Sequence, residues 1–310
     1  MRGVWFYRTG STPVSRTKTK KEAESKVFNK RMAQPLFERC LLLRANDVVD
    51  TSMFPDFPIY AIKTFKGSEP MKIKDKILLD RKGLAEHGPI NIVIFGDSVS
   101  HGSVNGYIDY ENVYWNRLKK MLNQFRDYIP VNMINASIGG TTAKMSVERF
   151  ERQALKHEPD LVIICFGLND VNGSLEDYLT SLERIFELCI DAGIDAIFMT
   201  PNMLNTSVAD DTPKQYYDYA IKTAEMQNSG RMDKYINSAV TLAERHGIPV
   251  CDCYKQWKQI SKTQNITLLL ANRINHPIPE MHQLFADSLY NIIMGSRQNT
   301  ATEQTTMFQQ

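Results

Sequence analysis

Four short stretches bring together residue types that can do chemistry in concert. They are Gly96-Asp97-Ser98, Asn135-Ala-Ser-Ile-Gly-Gly140, Gly167-Leu-Asn169-Asp170 and Asn272-Arg-Ile-Asn-His276-Pro277. A serine hydroxyl is a weak nucleophile until a base takes its proton, and an imidazole does so at neutral pH. Ser98 and His276 supply that pair. Attack on an ester carbonyl creates an oxyanion, and one fixed donor facing it is worth about 2.7–4 kcal/mol in the transition state. The candidate donors are the Ser98 N–H, the Gly140 N–H and the Asn169 side-chain amide, glycine being the residue that lets backbone approach a substrate closely. Asp97, Asp170 and Asn275 read as supporting residues. Singly, each feature has a plainer role: Gly96 and Gly167 in tight turns, Asp97, Ser98, Ser100, Asn172 and Ser174 as helix caps, His276 as a structural histidine. Their joint order is what points to acyl transfer.

The elements that must position these residues are legible from periodicity. Short β-rich apolar runs occupy 90–95, 131–136, 160–167, 195–200 and 248–252. Between them lie helical stripes: Tyr114, Leu118, Met121, Leu122 and Phe125, then Leu175, Leu179, Leu182, Ile185, Phe186 and Leu188. Segments 213–227 and 230–246 predict two further helices, and Pro279 opens a last one. Strand and helix alternating five times imply a mainly parallel five-stranded sheet with helices on both faces. In such sheets ligands bind beyond the carboxyl ends of the strands, which is where the first three stretches fall.

Competing chemistries lack their motifs. No G-x-x-x-x-G-K-[ST] phosphate loop occurs, and "GDSVS" fits neither a dinucleotide fingerprint nor the G-x-S-x-G elbow of α/β-hydrolases. Cys251-Asp-Cys253 lacks a second cysteine pair at zinc-site spacing, so its thiols are expected to be buried and no metal or cofactor is called for. A net charge of +2 gives no ground for nucleic acid as a partner.

The four blocks resemble the SGNH/GDSL hydrolases, a superfamily of esterases, lipases and carbohydrate deacetylases, over about residues 90–295. The resemblance implies a flavodoxin-like α/β/α three-layer sandwich. It also implies Ser98 as nucleophile, His276 as base, and Ser98, Gly140 and Asn169 as the oxyanion hole. One position departs from the pattern. The family's acid stands three residues before the histidine, and Arg273 is there. A backbone carbonyl is the expected substitute partner for His276, giving a Ser-His dyad, with Asp252 as the alternative. His282 matches the family's final histidine and is expected to face a helix. His101 is a candidate rim residue.

The expected activity is hydrolysis of small acyl esters, with O-acetyl groups on carbohydrate as one substrate class. Tyr107, Tyr110, Tyr114 and Trp115 are apt for stacking on a sugar, although the same spacing also suits a core. A weakly active or inactive carbohydrate-binding module is the alternative. Outside the catalytic segment, 1–35 reads as a basic mobile tail, 36–89 as a lead-in with short strands ("PIYAIKTF", "MKIKDKILLD"), and 296–310 as a polar disordered tail. With five cysteines, no secretory signal and no run long enough to span a membrane, a reduced cytoplasmic protein is expected.

Overall fold

The computed structural model of the chain describes residues 71–126 and 129–295. Five strands form one sheet: β1 (Ile90–Gly96), β2 (Val131–Asn135), β3 (Leu161–Cys165), β4 (Asp195–Met199) and β5 (Val250–Cys251). Every pairing is parallel, and the order across the sheet is β2-β1-β3-β4-β5. The central strands β1 and β3 are covered on both faces, which is why they read as nearly continuous apolar runs.

The helices are α1 (Ile73–Leu78), α2 (Arg81–His87), α3 (Ser98–His101), α4 (Tyr114–Phe125), α5 (Ala143–Ser146), α6 (Phe150–Gln153), α7 (Leu175–Asp191), α8 (Tyr217–Asn228), α9 (Arg231–Arg245), α10 (Cys253–Ile260) and α11 (His282–Met294). One layer holds α1, α4, α10 and α11, knit by Tyr114 and Trp257 against Phe285. The other holds α5, α7, α8 and α9, with Tyr178 stacked on Tyr235. The result is the expected three-layer α/β/α sandwich with a flavodoxin-like strand order.

The strand expected over "MKIKDKILLD" is instead α1. Its alternation of Ile with Lys also suits a short helix that buries one side, and Lys76 decides the matter. Its ammonium lies 2.7 Å from Asp160 Oδ1 at the foot of β3, while the Ile73 N–H donates to Asp195 at the foot of β4. These contacts dock α1 against the amino ends of the central strands, at the sheet edge opposite the site. "PIYAIKTF" and both tails lie outside the described residues.

The crevice at the carboxyl edge opens where the strand order reverses, between β1 and β3 on either side of the first βα turn. Ser98 stands in that turn.

Candidate active site

Ser98 is the first residue of α3, a single turn entered directly from β1. Asp97 caps it, its Oδ1 accepting from the Val99 N–H at 3.0 Å. The turn closes on itself, since the Ser98 carbonyl accepts from both Gly102 and Ser103 N–H. Gly96 is required for space rather than for a special dihedral. A Cβ there would stand 2.6 Å from the Cys165 carbonyl oxygen and 2.6 Å from Ser100 Oγ. Strand β3 and the serine turn thus close directly over the glycine.

His276 reaches this turn from the far end of the chain. Its Nε2 lies 2.9 Å from Ser98 Oγ, and its Nδ1 lies 2.9 Å from the carbonyl oxygen of Val104. The backbone carbonyl that faces Nδ1 belongs to the loop after the serine rather than to the histidine's own loop. Asp252 is elsewhere, capping α10 through Lys255 N–H and contacting Thr200 Oγ1. Burial lowers the pKa of His276, while the bond to Val104 pulls the other way. A lowered pKa keeps Nε2 unprotonated and able to accept.

The histidine loop is organised by Asn272. Its Oδ1 accepts from the N–H groups of Ile274, Asn275 and His276, and its Nδ2 donates to Asn275 Oδ1. Asn275, read as supporting, serves through its backbone as well: its carbonyl accepts from Asn202 Nδ2 at 2.8 Å. Arg273 turns away from the imidazole to a paired contact with Asp211 and to the Leu268 and Leu270 carbonyls. Its backbone is left-handed, with a φ of 59°.

Gly140 has a φ of 76°, a conformation that favours glycine, and is exposed at the tip of the loop after β2. Asn169 Nδ2 donates one hydrogen to the Thr141 carbonyl at 3.0 Å, which ties the two blocks together; its other hydrogen has no partner among the described residues. Asp170 adds a second tie, taking the Ala143 N–H on Oδ1 and the Gly167 N–H on Oδ2. Both acids in this layer are buried, and desolvation raises Asp170 to about 6 and Asp97 to about 7. Among the described residues Asp97 Oδ2 has no hydrogen-bond partner.

Several sequence readings sort cleanly here. His282 is buried, with Nδ1 facing the Tyr114 N–H and its ring stacked on Tyr114; desolvation lowers its pKa to about 3. Tyr114 is itself core, bonded to Ser100 Oγ, and so is not available to a substrate. Tyr107 and Tyr110 are exposed, and the Trp115 indole is held by the Ser100 carbonyl. Sequence reasoning missed Val104 and Asn272. A backbone acceptor leaves no trace in residue type, whereas Asn272 followed by a histidine loop carried only the generic turn signal of asparagine.

A serine and a histidine thus stand in hydrogen-bond contact at the carboxyl edge of a parallel sheet. The GDSL-like lipase/acylhydrolase family model matches residues 94–284, and the chain belongs to that family: it is a carboxylic ester hydrolase. An uncharacterised lipoprotein of Bacillus subtilis is 25% identical over 194 residues, 58% of this chain and 77% of that protein. An arylesterase of Vibrio mimicus is 31% identical over 120 residues, 37% of this chain and 58% of that protein. An acetylxylan esterase from Geobacillus stearothermophilus shares the fold with a TM-score of 0.53 at 20% identity, over 66% of this chain and 94% of that one. The lipase/acylhydrolase of Enterococcus faecalis gives 0.52 at 21%, over 66% and 96%. Among the described residues no helix is long and apolar enough to cross a membrane.

Proposed function

We propose that the chain is a serine esterase working through a Ser98–His276 dyad whose third member is the Val104 carbonyl. The observation that carries this is the pair of 2.9 Å contacts on the two nitrogens of one imidazole. The Val104 carbonyl can accept only from Nδ1–H, so it fixes the tautomer in which Nε2 is bare and faces the serine. Nε2 takes the Ser98 proton as Oγ adds to the ester carbonyl. The oxyanion is received by the Ser98 and Gly140 N–H groups and by the second hydrogen of Asn169 Nδ2. The imidazolium then gives its proton to the departing alcohol, leaving an acyl-serine. Water, deprotonated by the same Nε2, releases the acid and restores Ser98.

Exchanging a carboxylate for a carbonyl keeps the orienting function and gives up part of the charge stabilisation of the imidazolium. The reading extends to small acyl groups, with O-acetyl groups on carbohydrate as substrates, supported by the exposed Tyr107 and Tyr110 beside the serine turn. A cytoplasmic location is retained as part of the reading and is tested by cell fractionation.

Ser98→Ala tests the core of it. The variant is expected to lose at least ~10³-fold in kcat on p-nitrophenyl acetate with its melting temperature preserved. A fluorophosphonate probe should label Ser98 in the native chain. A non-catalytic carbohydrate-binding module would stay unlabelled, and an unchanged rate in Ser98→Ala would sink the dyad.

A further inference from the structure

Beside the dyad is a second histidine that the reaction above does not use. His101 lies one helical turn after Ser98 and is half-buried. Its Nε2 meets the Tyr110 hydroxyl at 3.2 Å; its Nδ1 has no protein partner among the described residues. Tyr110 is held in turn by Trp115, whose ring centroid is 6.2 Å away and whose indole is bonded to the Ser100 carbonyl. The imidazole is therefore fixed on the nucleophile's own turn with its free nitrogen pointing out of that framework.

That nitrogen faces Gly139. The point where a Cβ of residue 139 would stand is 3.6 Å from His101 Nδ1, 3.7 Å from Ser98 Cβ and 3.9 Å from Ser103 Oγ. Gly139 is not among the glycines with a positive φ, and a Cβ there would meet only ordinary van der Waals contacts. What the missing side chain leaves is a cradle about one atom wide, lined by an imidazole nitrogen and a hydroxyl, against the nucleophile. A hydroxyl oxygen seated a few tenths of an ångström toward either group comes within hydrogen-bond reach of it. A hydroxyl also matches the chemistry. If Tyr110 donates to Nε2, Nδ1 carries the ring proton and donates; if Tyr110 accepts, Nδ1 accepts. A hydroxyl can answer either state, and Ser103 can take the complementary role.

We infer that His101, Ser103 and Gly139 form a subsite for a free hydroxyl next to the scissile ester, so that the preferred substrates are esters bearing such a hydroxyl. The inference rests on the serine-esterase reading and narrows it. The hydroxyl can belong to the alcohol half, as in a partly acylated polyol, or to the acyl half, as in a 2-hydroxy acid ester. His101 and Ser103 act on specificity and take no part in proton transfer at Ser98.

Two matched ester pairs separate these sources: 2-hydroxyethyl acetate against propyl acetate, and methyl glycolate against methyl propionate. The readout is the kcat/KM ratio within each pair, compared among the native chain, His101→Phe and Gly139→Ala. The ratio in the variants carries the intrinsic reactivity difference, so only the excess in the native chain belongs to the subsite. One well-placed hydrogen bond predicts an excess of about tenfold on one of the two pairs, and the pair showing it names the half of the ester that carries the hydroxyl. Gly139→Ala introduces only ordinary van der Waals contacts and keeps the test available if His101→Phe folds poorly. Equal ratios in all three proteins on both pairs, with Ser98 still labelled by a fluorophosphonate, overturn the subsite and leave the esterase reading standing. A native chain that neither labels nor hydrolyses any of the four esters overturns both.

Discussion

At the scale of single residues the proposed dyad turns on the Val104 carbonyl, which is neutral where a triad would place a charge. A carboxylate partner raises the pKa of its histidine; here burial prevails and lowers it. The base form of His276 therefore persists to lower pH than in an exposed imidazole. The acid limb of kcat/KM is expected to fall below about pH 6.5, the ordinary histidine value, and a limb above 7 would show that an anion faces Nδ1 after all. Asp252→Asn supplies the complementary check. Asparagine also caps helices well, so α10 should hold and kcat should stay within about threefold of the native value. A thousandfold loss in folded protein would restore Asp252 as the acid and end the dyad.

Elements carry the precision that this chemistry needs, and they differ in how far the chain spells them out. The serine's side was open to reading: an apolar strand, a glycine and a capped turn place Ser98 at the sheet's carboxyl edge by general rules of parallel sheets. The five strands and the long amphipathic helices followed from period alone, because each buries a face. What escaped was everything held by a few side-chain-to-backbone bonds. The histidine loop has no regular periodicity; its shape is set by Asn272 Oδ1 taking three N–H groups, and its attachment by Asn202 and by Arg273 on Asp211. The strand expected over MKIKDKILLD gave way to a helix for a related reason. Its Ile-Lys alternation is compatible with strand or helix, and only the carboxylates of Asp160 and Asp195, 84 and 122 residues from their partners, select the helix. Asn272→Ala tests the loop's rigidity. It should cost ~1–3 kcal/mol of stability in urea titrations, and kcat should fall with KM nearly unchanged because the imidazole loses its fixed position rather than the substrate its contacts. A variant that loses stability but keeps kcat would mean that the bonds to Val104 and Ser98 hold His276 unaided.

At the scale of the whole molecule, four buried groups among the described residues link folding to pH in opposite senses between about pH 3 and 7. His276 and His282 are held below the ordinary histidine value of 6.5, His282 at about 3, so the folded chain excludes protons that the unfolded chain takes up. Their contribution to stability is complete above about pH 6.5 and is lost as pH falls from there toward about 3. Asp97 and Asp170 behave in reverse. They rise from 3.8 to about 7 and about 6, so the folded chain keeps protons that the unfolded chain releases. Their contribution is complete below about pH 3.8 and is lost as pH rises through about 7. Between roughly pH 4 and 6 the two trends oppose one another. Asp97→Asn exposes the balance. Asparagine resembles the protonated acid, so near pH 4 the variant and the native chain should unfold at similar urea concentrations. As pH rises to 8 the native chain must ionise a buried carboxylate whose Oδ2 has no partner among the described residues, while the variant has nothing to ionise. With each tenfold step worth ~1.4 kcal/mol, the variant should gain relative to the native chain by an amount on the order of 4 kcal/mol at most, nearly all of it accrued by pH 7. A difference between the two proteins that stays constant from pH 4 to 8 would mean that Asp97 is ionised in the folded chain throughout.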